Sequence, residues 1–287
     1  MNNPAIYFFK ILCYTLVNKS TIFGGVNMKF GIPALVEVPD IGEAAALCRE
    51  LGLSFVELNT NFPTQQLHLL DAGELTALSR RYGISYTIHL NDEMPVADFN
   101  PVVAKGYLDA VLEAISFAKK IGAKKLNMHL SDGARYTTPD RRIFFYEAYQ
   151  AEYLAGMTRF RDVCTEGIGD ADLMICIENS SGFRPFHLAA MDLLLESPVF
   201  GLTLDVGHDH CTGGADGTWI LRHRDRLHHM HIHDALGCRD HLSPGSGEID
   251  LKKWLTLGRE LNCTAVLEIK TLPGLRKTAA WAQEAGF

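Results

Sequence analysis

Eight short apolar runs rich in β-branched and aromatic residues recur along the 287-residue chain, at 29–34, 54–59, 85–90, 125–130, 173–179, 200–206, 227–233 and 265–269. Between most of them lie stretches with helical spacing, among them 41–51, 102–121 and 141–165, and several close on a glycine (Gly52, Gly83, Gly122) that suits a helix C-terminus. Strands that alternate with helices build a parallel sheet, and eight such units within 28–287 predict one closed (β/α)8 barrel rather than two small domains. A doubly wound open sheet is the alternative. It lacks its signature, because no G-x-G-x-x-G or G-x-x-x-x-G-K follows any run, which also speaks against a nucleotide cofactor.

Residues 1–27 stand apart. The apolar stretch 6–17 is broken by Lys10, is too short to span a bilayer, and has neither a basic leader nor a small-residue cleavage site, so it makes a poor signal peptide. The pattern M-K-F-G-I-P at Met28 reads as the start of the first strand, and 1–27 is expected to be an N-terminal extension outside the functional unit. The 7 cysteines form no C-x-x-C pair, as expected of reduced thiols in a cytoplasm, and no apolar run is long enough for a membrane span. A net charge of −7 argues against a protein that coats nucleic acid through a basic face.

Reactive groups of such a barrel come from the carboxyl ends of its strands, where residues two apart share a face. The runs end in polar residues at that place: Glu57 in the second, His89 in the third, His129 in the fourth, Glu178 in the fifth, Asp205 and His208 in the sixth, His229, His231 and His233 in the seventh, Glu268 in the eighth. A single His or Glu at a strand end usually serves a loop hydrogen bond. Three carboxylates and several imidazoles converging on one rim are different, since together they call for a cation. Glu178, Asp205, His231 and Glu268 supply mixed nitrogen and oxygen ligands for one divalent metal of the Zn, Mn, Co or Fe type. Structural roles are expected for His68, His187, His210, His223, His228 and His229. The segment 132–140 is a candidate lid, and Phe62, Tyr136, Phe183 and Trp219 are candidates for packing on a ligand or on the core.

In chain order, E-N-S-S-G at Glu178, L-D-V-G-H at 204–208, H-I-H-D from His231, R-D-H-L-S-P-G-S-G-E-I-D at 239–250 and L-E-I-K around Glu268 resemble the xylose isomerase-like TIM barrels. That group includes sugar epimerases, sugar-phosphate isomerases, inosose dehydratases and endonuclease IV. The resemblance covers 28 to about 270. It implies an isomerase, epimerase or dehydratase of a small sugar, sugar phosphate or polyol that works through a metal-stabilised enediolate. Glu178 and Glu268 would then be metal ligands that also act as acid and base, with His208 at the substrate. Glu57, Arg135, Arg184, Arg239 and Lys270 are expected to contact substrate. The resemblance to endonuclease IV implies instead a multi-zinc phosphodiesterase, in which His89, His129, His208 and His241 hold additional metal or support the first ion. A barrel that binds a metal or ligand without turnover is a third reading. Ketose 3-epimerases carry a second Glu and an Arg where this chain has Arg184 and Gly237, so the resemblance reaches the superfamily and stops short of a substrate. In these barrels a neighbouring subunit often completes the pocket, which allows a homo-oligomer.

Overall fold

The computed structural model describes residues 28–286; the expected N-terminal extension, 1–27, lies outside the described residues. Eight parallel strands close into a barrel: β1 (Lys29–Ile32), β2 (Phe55–Asn59), β3 (Ser85–His89), β4 (Lys125–His129), β7 (Met174–Glu178), β8 (Phe200–Asp205), β9 (Leu227–Ile232) and β12 (Thr264–Leu267). Neighbours in the barrel are neighbours in the chain, and β12 pairs with β1 to complete the ring. Two antiparallel hairpins stand at strand exits, β5 (Arg135–Thr137) with β6 (Arg142–Phe144) and β10 (Asp234–Leu236) with β11 (Arg239–Leu242).

The helices start and stop where side-chain chemistry supplies their end groups. Asp40, Asp71, Asn100 and Asp250 accept from backbone N–H groups in the first turns of the helices Ile41–Glu50, Ala72–Tyr82, Pro101–Ile121 and Leu251–Glu260. Each such cap contributes about 1 kcal/mol. Gly83 and Gly122 end two of these helices in the left-handed conformation, at φ 67° and 70°, which a side chain would oppose. The apolar core lies between strands and helices, with Leu58, Ile88, Leu126, Ile175, Leu202 and Ile232 facing outward onto it. The opposite strand face points into the barrel and is largely polar. Gly31 leaves room there for the Phe55 ring, which lies 2.2 Å from where a Cβ would sit.

One expected helix is divided. Residues 141–165 begin as β6, continue as a short helix Phe145–Ala148, break at Tyr149 (φ −123°, ψ 52°) and resume as Gln150–Ile168. The R-I-F segment pairs with R-Y-T of β5, and Tyr146 is fixed by stacking on Tyr153 with centroids 4.3 Å apart. Tertiary contacts therefore override local helical spacing. The expected lid, 132–140, contains one strand of this hairpin.

His187 joins the helix Pro185–Leu194 to the exit of β4. Its Nδ1 accepts from Arg184 N–H at 3.3 Å and its Nε2–H donates to Ser131 O at 3.2 Å, a pattern that only the neutral ring satisfies. Burial pushes its pKa down to about 4, against the weaker upward pull of the Ser131 carbonyl and Asp132. The unfolded chain takes up this proton near pH 6.5, so stability is lost as pH falls from there toward 4, by roughly 3 kcal/mol in full. Urea midpoints should show the gap between wild type and His187→Gln narrowing between pH 7.5 and pH 4.5; a constant gap contradicts this role.

Candidate metal centre

Strand register brings the predicted ligands together. Glu178 pairs with Thr203 across β7 and β8, Asp205 with His231 across β8 and β9, and His231 with Val266 across β9 and β12, with Glu268 one step beyond the strand end. Ligand atoms of Glu178, Asp205, His231 and Glu268 all lie within 4.8 Å of one another, and all four residues are buried. His231 Nδ1 is at the middle, 3.0 Å from Glu178 Oε1, 3.2 Å from Glu268 Oε2 and 3.8 Å from Asp205 Oδ2.

The set fits a divalent cation. Both ring nitrogens of His231 and Glu268 Oε2 are buried without a hydrogen-bond partner, and Nδ1 and Oε2 face the other members of the set, the arrangement expected of atoms that point at an ion. Burial alone would raise the pKa of Glu178 and Glu268, yet His231, with His129 at Glu178 and Lys270 at Glu268, holds both carboxyls well below the usual range. Burial would lower His231, but Glu178, Glu268 and Glu57 drive it well above its ordinary value. The local field demands positive charge. One imidazole and three carboxylates match the borderline and hard metals named above and exclude a thiolate site.

Each ligand is held from behind. Asn127 Nδ2 and the Nε2 atoms of His89 (3.3 Å) and His129 (3.2 Å) surround Glu178 Oε2, and Asn127 Oδ1 in turn accepts from Thr203 Oγ1 at 2.6 Å. Asp205 accepts from His208 N–H at 2.7 Å and from His233 Nε2 at 2.9 Å. Asn179 clamps the ends of β7 and β8 through two 2.9 Å bonds with the Asp205 backbone. His233 Nδ1 accepts from His241 N–H at 2.9 Å, and the two rings stack with centroids 4.4 Å apart. This bond holds His241 at φ 53°, a conformation costly for a side chain. The loop carrying it is anchored by Asp234, whose carboxylate accepts from the backbone N–H of Ala235, Gly245, Gly247 and Ile249.

Gly207 makes the His233 contact feasible. A Cβ there would sit 1.9 Å from His233 Cε1. Gly207→Ala is expected to displace His233 from Asp205, with a stability loss of about 1–3 kcal/mol. Thermal unfolding and metal content read the two effects, and an unchanged melting temperature would refute the contact.

The remaining expected site residues divide. His208 reaches Asp205 Oδ2 (3.4 Å) and Asp240 Oδ2 (3.8 Å) at the rim. Lys270 Nζ is 2.6 Å from Glu268 Oε1. Arg135 lines a polar rim cavity with Asp92, Glu93, His129 and Asp132, while Arg239 is exposed on β11. Glu57 is not at the substrate face. It is buried, with Oε2 accepting from Thr87 Oγ1 at 2.9 Å and facing His229 Nε2 at 3.2 Å, while Oε1 lies 3.0 Å from His231 Nε2. Arg184 is likewise taken up, by a two-point pair with Asp132 at 2.7 and 2.9 Å and by stacking over Phe144. Phe183 and Trp219 pack on each other and on the core. Asn127 and Thr203 were the residues to find from strand parity, since they lie two before His129 and Asp205.

The sequence pattern of the xylose isomerase-like TIM barrel matches residues 45–286. Among curated proteins, none matches the chain. Solved structures of the same fold include a D-tagatose 3-epimerase-like protein, 23% identical, with TM-score 0.73 over 90% of this chain and 97% of the other. The 3-keto-D-glucoside 4-epimerase YcjR from E. coli is 17% identical, with TM-score 0.68 over 90% and 99%. The IOLI protein with a bound zinc atom is 15% identical, with TM-score 0.64 over 90% and 95%. The closed barrel and the match over 45–286 agree, and the chain belongs to the xylose isomerase-like TIM barrel family.

Proposed function

We propose that the protein is a divalent-metal-dependent isomerase or epimerase of a small sugar or polyol. The observation that carries this reading is the placement of Glu178 Oε1 and Glu268 Oε2 at 3.0 and 3.2 Å from the same nitrogen, His231 Nδ1. Glu178, Asp205, His231 and Glu268 would hold a divalent ion, which when bound would supply Lewis acidity to a carbonyl and so acidify the carbon beside it. Glu268 has Oε1 tied to Lys270 and Oε2 unpartnered, which suits it to take that proton. Glu178, braced by Asn127, His89 and His129, is the counterpart through which a proton drawn from solvent reaches the carbon, while the proton taken by Glu268 is released to solvent, so the cycle is redox-neutral and proton-neutral. His208 at the rim, between Asp205 and Asp240, is placed to hold a substrate hydroxyl.

The similar structures, a D-tagatose 3-epimerase-like protein and a 3-keto-D-glucoside 4-epimerase, support the reaction class. The rim bears Asp92, Glu93 and Asp240 beside Arg135, while Arg184 with Asp132 and Lys270 with Glu268 are paired off, so a DNA phosphodiester would face more carboxylates than free cations. This favours a neutral polyhydroxy ligand over the nuclease reading. Incubation with a panel of ketoses and keto-polyols in deuterated water tests it: deuterium should enter a carbon next to the carbonyl, and its absence across the panel, with cleavage of an abasic-site duplex instead, would overturn it.

A further inference from the structure

Beneath the candidate metal centre a chain of polar side chains crosses the barrel interior, and its hydrogen-bond polarity runs one way. Lys125 Nζ, at the start of β4, donates to Thr264 Oγ1 at 2.9 Å. The Thr264 hydroxyl lies 2.6 Å from His229 Nδ1 and donates to it whenever the neutral ring carries its proton on Nε2. His229 then carries its proton on Nε2, directed at Glu57 Oε2 at 3.2 Å, and Thr87 Oγ1 donates to the same oxygen at 2.9 Å. Glu57 Oε1 is left to face His231 Nε2 at 3.0 Å. Glu57, His229 and His231 are all buried, so water does not compete for these groups. The acceptor-only carboxylate of Glu57 calls for a proton on His229 Nε2, and with that ring neutral Thr264 donates to its Nδ1.

From this arrangement we infer that Glu57, set by the Lys125–Thr264–His229 relay, is a positioning residue that holds the proton of His231 on Nε2 and leaves Nδ1 bare for the cation. A histidine ligand is oriented and made more basic when a carboxylate takes its other N–H. One oxygen of this carboxylate is taken by Thr87 and His229, and the other lies 3.0 Å from His231 Nε2, a buried nitrogen that makes no hydrogen bond as the ring now lies, and that makes the carboxylate sensitive to isosteric change. A glutamine at 57 offers one acceptor and one N–H-bearing nitrogen. Whichever way its amide lies, one of the two imidazoles meets a donor and must reverse its tautomer. When His231 reverses, its Nδ1 acquires the proton and the metal loses its nitrogen ligand.

The inference rests on the metal-centre reading of the site, and the test separates the two. Metal-free full-length protein is titrated with Co(II) alone, followed by its visible absorption, with Zn(II) competition giving the second affinity. Wild type should bind both; failure to bind either refutes the metal centre itself. Glu57→Gln should weaken Co(II) and Zn(II) affinity by about 10–100-fold and alter the Co(II) band, while the thermal midpoint of the metal-free protein stays near wild type. Thr264→Val, which removes only the hydroxyl linking Lys125 to His229, should weaken binding in the same direction by less, and it decides the matter if Glu57→Gln does not fold. Wild-type affinities and an unchanged Co(II) spectrum in both variants, or in Thr264→Val alone when Glu57→Gln is unfolded, would overturn the inference.

Discussion

Glu268→Gln is expected to lower solvent-deuterium exchange at the substrate carbon by about 10²–10⁴-fold, the range lost when a positioned acid or base is removed. The substitution keeps the shape of the side chain but leaves an amide where Oε2 is now an unpartnered acceptor 3.2 Å from His231 Nδ1. It also weakens the 2.6 Å contact with Lys270 Nζ. Glu178→Gln should be at least as damaging, because Glu178 Oε2 accepts from Asn127 and faces the Nε2 atoms of His89 and His129, so an amide nitrogen there would point at donors. Both variants should retain wild-type far-UV circular dichroism. Exchange that survives in both would end the acid–base assignment, whatever the metal does.

The second large effect is on stability. Without a cation, the carboxylates of Glu178, Asp205 and Glu268 crowd one buried imidazole, with ligand atoms within 4.8 Å of one another. A metal that binds only the folded chain stabilises it by about 4 kcal/mol when present at a thousand times its dissociation constant. For a chain of this size that corresponds to a melting temperature higher by about 10 °C. Chelation followed by differential scanning calorimetry should therefore show a fall of this order, reversed by adding back Zn(II), Mn(II) or Co(II). A chelated protein that melts with the untreated one would contradict the account.

The barrel and the four residues that cluster at its centre are legible in the sequence for a shared reason. Parallel strands buried on one face keep apolar runs, and their carboxyl ends must be polar where they leave the core, so Glu178, Asp205, His231 and Glu268 stand out at run ends. Other assignments depended on depth, which periodicity does not report. Glu57 has the right parity and the wrong level: it pairs with Thr87 below the rim, under His231. His229, expected to be structural, is inside the barrel against Glu57 and Thr264, a depth that its position in the run does not report. Arg184 was read as free because its partner, Asp132, is 52 residues away in the chain. The β5–β6 hairpin was hidden because a three-residue strand has no period of its own, and its aromatic residues mimic a helix face.

The central claim is that Glu178, Asp205, His231 and Glu268 hold one divalent ion, and the most direct test is elemental analysis of purified wild-type protein beside Asp205→Ala. The account predicts about one equivalent of a divalent transition metal per wild-type chain, matching the single four-residue set among the described residues, and a content well below that in the variant. Wild-type protein that takes up no metal from a supplemented medium, or an Asp205→Ala variant with undiminished content, would contradict it.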